Sequence, residues 1–98
     1  MIRHIVFFSL KQSEDIATAE NSLRRLKDIP EAEFFEVGRN SKTDALSNEI
    51  DLVVHGEFVD EAALARFKQH AYYQEAITVV RPLRNLRYSA DYHFEKVS

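Results

Sequence analysis

The chain contains no cysteine, so disulfide cross-links, thiolate nucleophiles and zinc–thiolate sites are excluded. Only two glycines and two prolines occur in 98 residues, too few for a low-complexity or disordered segment. Basic residues are outnumbered: 13 Lys and Arg stand against 16 Asp and Glu, a net charge of −3. With a pI near 5.8, no overall positive field exists to hold a nucleic-acid backbone. No run approaches the ~18 apolar residues that span a bilayer. The apolar stretch at the start is too short for a secretory core and carries Arg3, His4 and Ser9. These exclusions leave a soluble, cytoplasmic single domain over residues 1–98 as the expectation, with no nucleic-acid or membrane partner.

What is present is 45% hydrophobic and 30% charged, an ordinary globular mixture. Ile2 to Leu10 reads as a strand apolar on both sides, with Ile2, Val6, Phe8 and Leu10 on one face and Ile5 and Phe7 on the other. Ser13 is placed to cap a helix, with Glu14 and Asp15 in its first turn. Ile16, Ala19, Leu23 and Leu26 form its apolar stripe, which ends before Pro30. Ala32 to Arg39 reads as a second strand, Gly38 marking its end or a bulge, and residues 39–48 as a polar loop.

Ile50 to Phe58 alternates as a third strand, with His55 in the register opposite its apolar stripe. Asp60 is a good N-cap, and the stripe Leu64, Phe67, Ala71, Ala76 and Val80 predicts two short helices in succession before Pro82. Leu86 to Phe94 has a clean period of two, with Leu86, Tyr88, Ala90, Tyr92 and Phe94 opposed by Arg87, Ser89, Asp91 and His93. The order β-α-β-β-α-β predicts an α+β, ferredoxin-like fold with a four-stranded antiparallel sheet and its helices on one face. The other face then needs a cover, and a second copy of the chain is the simplest one. A dimeric α+β barrel is the expected assembly.

Among residues able to carry chemistry, His4 shares the register of Ile2, Val6 and Phe8. It would point into the cleft between sheet and helices, as a base or a hydrogen-bonding group for a ligand. The alternative is a core histidine satisfied by a carboxylate or a backbone carbonyl. His70, at the junction of the two helical pieces, would face the same cleft or bond the last carbonyls of the first helix as a cation. His55 and His93 are expected at a subunit interface or in solvent. Asp91 could orient a histidine or pair with an arginine, and the phenol of Tyr73 could position an oxygen. No histidine has metal-ligand spacing, no serine sits in a nucleophile elbow, and no phosphate loop is present. Neither metal nor cofactor is implied.

Three stretches together resemble the stress-responsive A/B barrel (Dabb) family. They are the opening MIRHIVFFSLK (Met1 to Lys11), DLVVHGEF (Asp51 to Phe58) followed by Glu61 to Leu64 and FKQH (Phe67 to His70), and VRPL (Val80 to Leu83) with ADY (Ala90 to Tyr92). The resemblance implies a ferredoxin-like dimer whose two sheets form a barrel. The family includes plant stress proteins, a plant polyketide cyclase and small bacterial proteins. By alignment with the cyclase, its catalytic tyrosine and histidine fall at Phe67 and Tyr73, and its third-strand histidine falls at Leu52. His4, His70 and Asp91 match, but without the catalytic pair the chain is not that cyclase.

Taken together, the implied function is binding of a small, partly apolar ligand in the helix–sheet cleft by His4, Leu52, Phe67, His70, Tyr73 and Asp91. A second reading is cofactor-free proton transfer on a polyketide-like or aromatic carbonyl compound, with His4 as base and Tyr73 or His70 assisting. A third is a structural stress protein whose cleft is filled by Phe34 and Phe67.

Overall fold

A computed structural model describes residues 1–46 and 48–96. Strand β1 (Ile2–Leu10) leads through a 3₁₀ turn at Ser13–Asp15 into helix α1 (Ile16–Arg24), which tightens into a second 3₁₀ turn at Arg25–Asp28. Strands β2 (Phe34–Arg39) and β3 (Leu52–Phe58) follow. Helices α2 (Glu61–Gln69) and α3 (Ala71–Val80) and strand β4 (Arg84–His93) complete the order. The strands form one antiparallel sheet in the order β2-β3-β1-β4, with the helices on one face. This is the expected ferredoxin-like α+β fold.

Apolar periodicity explains the core. Ile2, Val6 and Phe8 of β1 and Leu52, Val54 and Phe58 of β3 are buried under Ala19, Leu23, Leu64, Phe67 and Val80 of the helices. The starts of α2 and α3 are capped by side chains; at α2, Asp60 Oδ1 accepts the Ala63 N–H at 2.8 Å. Ser13 does not act as the expected cap. It opens the 3₁₀ turn, and no side chain caps α1. The second strand begins at Phe34 rather than Ala32, and Gly38 pairs regularly with Val53 without a bulge.

A bulge does occur at the start of β4, where the pairing with β1 jumps from Ser9–Leu86 to Leu10–Arg84, leaving Asn85 as an extra residue. Ser9 and Asp51 take up backbone groups there. Ser9 Oγ accepts the Leu86 N–H at 3.0 Å, and Asp51 Oδ2 accepts the Leu10 N–H at 2.8 Å. That accounts for a buried serine in an otherwise apolar strand.

The outer face of the sheet is not uniformly apolar. Register places Ile5, Phe7, Val53, Leu86, Tyr88 and Ala90 together on it. Toward the β2 edge lies a band of paired charges. Arg3 bonds Glu57 at 3.0 Å, and His55 lies between Glu57 at 3.1 Å and Glu36 at 3.5 Å. Phe34 stacks on His55 with centroids 5.1 Å apart, so it sits on this outer face and cannot fill the cleft. His55 faces outward, and His93 is exposed beside Glu61.

Candidate functional site

His4 is set by register between Gly56 on β3 and Asp91 on β4, all three on the helix-facing side. One neighbour lacks a side chain and the other brings a carboxylate. Asp91 Oδ1 is hydrogen-bonded to His4 Nδ1. A carboxylate only accepts, so Nδ1 carries the proton and Nε2 of the neutral ring keeps its lone pair. His4 is 3% exposed; Nε2 makes no hydrogen bond to the described residues and is the part of the ring that reaches open space, since no fully buried side-chain nitrogen or oxygen among them lacks a partner. Burial pulls the His4 pKa below its ordinary value, partly opposed by the hydrogen bond and charge of Asp91. The nearby Lys68 and Arg87 add to the lowering. His4 is therefore neutral near pH 7, oriented, and able to accept a proton.

The ring borders a cavity of about 40 Å³, walled by Val6 and Phe8 of β1, Leu23 of α1, Phe67 of α2, and Tyr73 and Ile77 of α3. That is room for a few waters, whereas a benzene-sized guest occupies roughly 150 Å³. Toward solvent lies a second hollow of about 170 Å³ lined by Tyr73, Ile77, Arg81, Arg84 and Arg87. Tyr73, Ile77, Arg84 and Arg87 border both spaces, so the two adjoin. Tyr73 is half-buried, its ring edge-on to Phe67 at 5.6 Å, and its hydroxyl makes no hydrogen bond among the described residues.

Of the residues singled out from the sequence, the structure gathers His4, Phe67 and Tyr73 around the cavity, with Asp91 behind His4. Two lie elsewhere. Leu52 is fully buried and outside the cavity wall, because its strand position opposite Phe8 places it under the helical core. His70 is also outside it, and its ring does not bond the last carbonyls of α2. Its Nδ1 instead accepts the Tyr72 N–H at 3.0 Å and caps α3, a task for an unprotonated nitrogen. Sequence reasoning overlooked Arg81 and Arg84 at the cleft mouth, although Arg81, Arg84 and Arg87 fall within seven residues of one another. Among the described residues no His, Asp and Glu cluster could hold a metal ion, and no helix is long and apolar enough to cross a membrane.

A four-stranded antiparallel sheet under one helical layer, with a histidine at the cleft between them, defines the class: a ferredoxin-like α+β domain. Within that class the chain belongs to the stress responsive A/B barrel domain family, whose model matches residues 2–94. No curated protein matches the chain. Solved structures do. A dimeric ferredoxin-like protein of unknown function from Thermobifida fusca superposes with a TM-score of 0.83 at 20% identity, covering 95% of this chain and 90% of that one. A hydroxynitrile lyase from Passiflora edulis gives 0.80 at 17% identity, over 99% and 95% of the two chains. A putative antibiotic biosynthesis monooxygenase from Nitrosomonas europaea gives 0.77 at 16%, over 96% and 98%. At these identities the likeness is one of fold.

Proposed function

We propose that the protein is a homodimer, paired through the outer face of its sheet, that binds a small, partly apolar ligand in the cleft at His4. The observation that carries the ligand reading is the free Nε2 of a buried, Asp91-oriented imidazole beside a cavity. No fully buried side-chain nitrogen or oxygen among the described residues lacks a partner, so the unbonded Nε2 opens onto the cavity, and a nitrogen placed so is suited to a ligand hydroxyl or carbonyl. The cavity is too small for an aromatic ring as it stands, so such a ligand needs a wall side chain to move, and Tyr73, half-buried and bordering both spaces, is the candidate. Pairing of two copies is supported by the apolar outer row and by the dimeric description of the Thermobifida fusca protein.

Proton transfer at His4 is a second reading, favoured by the Asp91–His4 pair itself. A carboxylate behind an imidazole fixes the tautomer and stabilises the cation formed when Nε2 takes a proton. Tyr73 is the only other phenol or imidazole on the cavity wall among the described residues, since His70 is committed to its helix cap.

The test is a thermal-shift screen of small aromatic alcohols and carbonyl compounds against the wild type and His4→Ala. A bound compound raises the melting temperature of the native state, and the rise should disappear in the variant. Hits whose shift is the same in both proteins would remove His4 from the site. For the second reading, solvent deuterium exchange into an acidic C–H of a bound carbonyl compound should vanish in His4→Ala.

A further inference from the structure

The chain has eight arginines, and five of them are paired with carboxylates: Arg3, Arg24, Arg25, Arg39 and Arg66. The guanidinium groups of the remaining three, Arg81, Arg84 and Arg87, make no hydrogen bond or ion pair among the described residues. All three line the same hollow at the mouth of the His4 cavity. In a chain of net charge −3, three cations without counter-ions around one concavity reverse the local field.

Their convergence has a backbone cause. Arg84 and Arg87 are three apart, and regular alternation would send them to opposite faces of the strand. The extra residue at Asn85 shifts the register, so Arg84 stands opposite Leu10 and Arg87 opposite Phe8, both on the helix-facing side. Bulges commonly re-aim a side chain next to a site in this way. Arg84 is partly buried, and its pKa is lowered first by burial and then by the charges of Arg87 and Arg81. Like charges held together cost free energy unless an anion relieves them.

We propose that Arg84 and Arg87, with Arg81 at the rim, form a subsite for the carboxylate of an organic acid whose apolar part enters the His4 cavity. This rests on the reading of that cavity as a ligand site and adds the ligand's charge class. Guanidinium forks bond carboxylates in pairs of parallel N–H···O contacts, stronger than neutral hydrogen bonds. An organic acid fits better than a bare inorganic anion because Tyr73 and Ile77 continue the hollow inward into an apolar space.

The experiment is titration of the wild type and an Arg84→Gln/Arg87→Gln variant with benzoate and with benzamide, its neutral analogue, followed by calorimetry. The wild type should bind benzoate at least about tenfold more tightly than benzamide, as charged hydrogen bonds imply. The variant should bring benzoate down to the affinity of benzamide and leave benzamide unchanged. Equal wild-type affinities, or full benzoate binding by the variant, overturn the carboxylate subsite and leave the cavity reading intact. Binding of neither compound overturns the cavity reading and the subsite with it. If inorganic sulfate displaces benzoate with an affinity equal to benzoate's own, the arginines form a plain ionic patch and the proposal fails.

Discussion

Asp91 and His4 face each other across the β1–β4 pairing, and the carboxylate of the first holds Nδ1 of the second. The neutral tautomer of His4 is therefore chosen by a residue 87 positions away in sequence. Asp91 is far more exposed than the ring it holds, with 42% of its side chain accessible against 4% for His4. A group in contact with water thus steers one that is not.

Replacement of Asp91 by Asn should lower the His4 pKa further. Burial already depresses it, and Asp91 supplies the hydrogen bond and charge that resist the depression. Titration of the His4 ring protons by NMR reads the midpoint directly. A midpoint that stays put or rises would contradict the assigned roles.

His4 also sets a pH dependence of stability. Its folded pKa lies below the unfolded value of about 6.5, so the unfolded chain binds the proton more readily. The stability is complete above that value and is lost as pH falls from there toward the folded pKa. Chemical denaturation of the wild type and His4→Asn between about pH 7.5 and 5.5, one unit either side of the ordinary pKa, isolates this contribution. The variant should show a shallower fall. Parallel curves for the two proteins would rule His4 out as the source.

Gly56 offers a packing test. A Cβ there would lie 2.9 Å from Cε2 of Phe58, whose ring is fully buried and packs edge-on to Phe67 at 4.9 Å. Gly56→Ala should cost about 1–3 kcal/mol as an overpacked core substitution. Gly38→Ala meets nothing within 4 Å and has no positive φ, so it should be neutral or stabilise by up to ~1 kcal/mol. Urea unfolding of both variants decides it, and a reversal of their order would mean Phe58 yields freely.

If two copies pair through the outer face, a charge in its apolar part should separate them. Phe7 is 37% exposed and Tyr88 58%, opposite one another on β1 and β4. Sedimentation of the wild type should give a dimer at micromolar concentration, and Phe7→Glu/Tyr88→Glu a folded monomer. A monomeric wild type would remove the proposed pairing.

The sequence made the fold legible because periodicity does not depend on distant contacts. Ile2 to Leu10, the two short helices before Pro82 and the alternation after Leu86 announce themselves within their own windows. The site was harder to read. His4 lay in an apolar register and could be aimed at the cleft, but the role of His70 turned on a local bond to Tyr72 N that spacing does not specify. Leu52 was placed by alignment with a relative, while burial under the core decides where it sits here. The arginine cluster was invisible for a different reason. The sequence reading began the last strand at Leu86, which left Arg84 outside it; β4 in fact starts at Arg84, and only the extra residue at Asn85, a property of the pairing with β1, brings Arg84 and Arg87 to one face. The mixed character of the outer face was likewise hidden, because Arg3, His55 and Glu57 meet only across strands.

Strand β4 lies at the margin of the sheet, and its helix-facing row from Arg87 to His93 is left largely uncovered. Asp91, Arg84 and Arg87 all belong to this one marginal element, while the interior is made by β1, β3 and the helices. If the cleft is a ligand site, rewriting that row would change what the ligand meets while leaving the buried core residues untouched. On that reading chemistry and stability sit on separate elements, and β4 is the place to begin redesign.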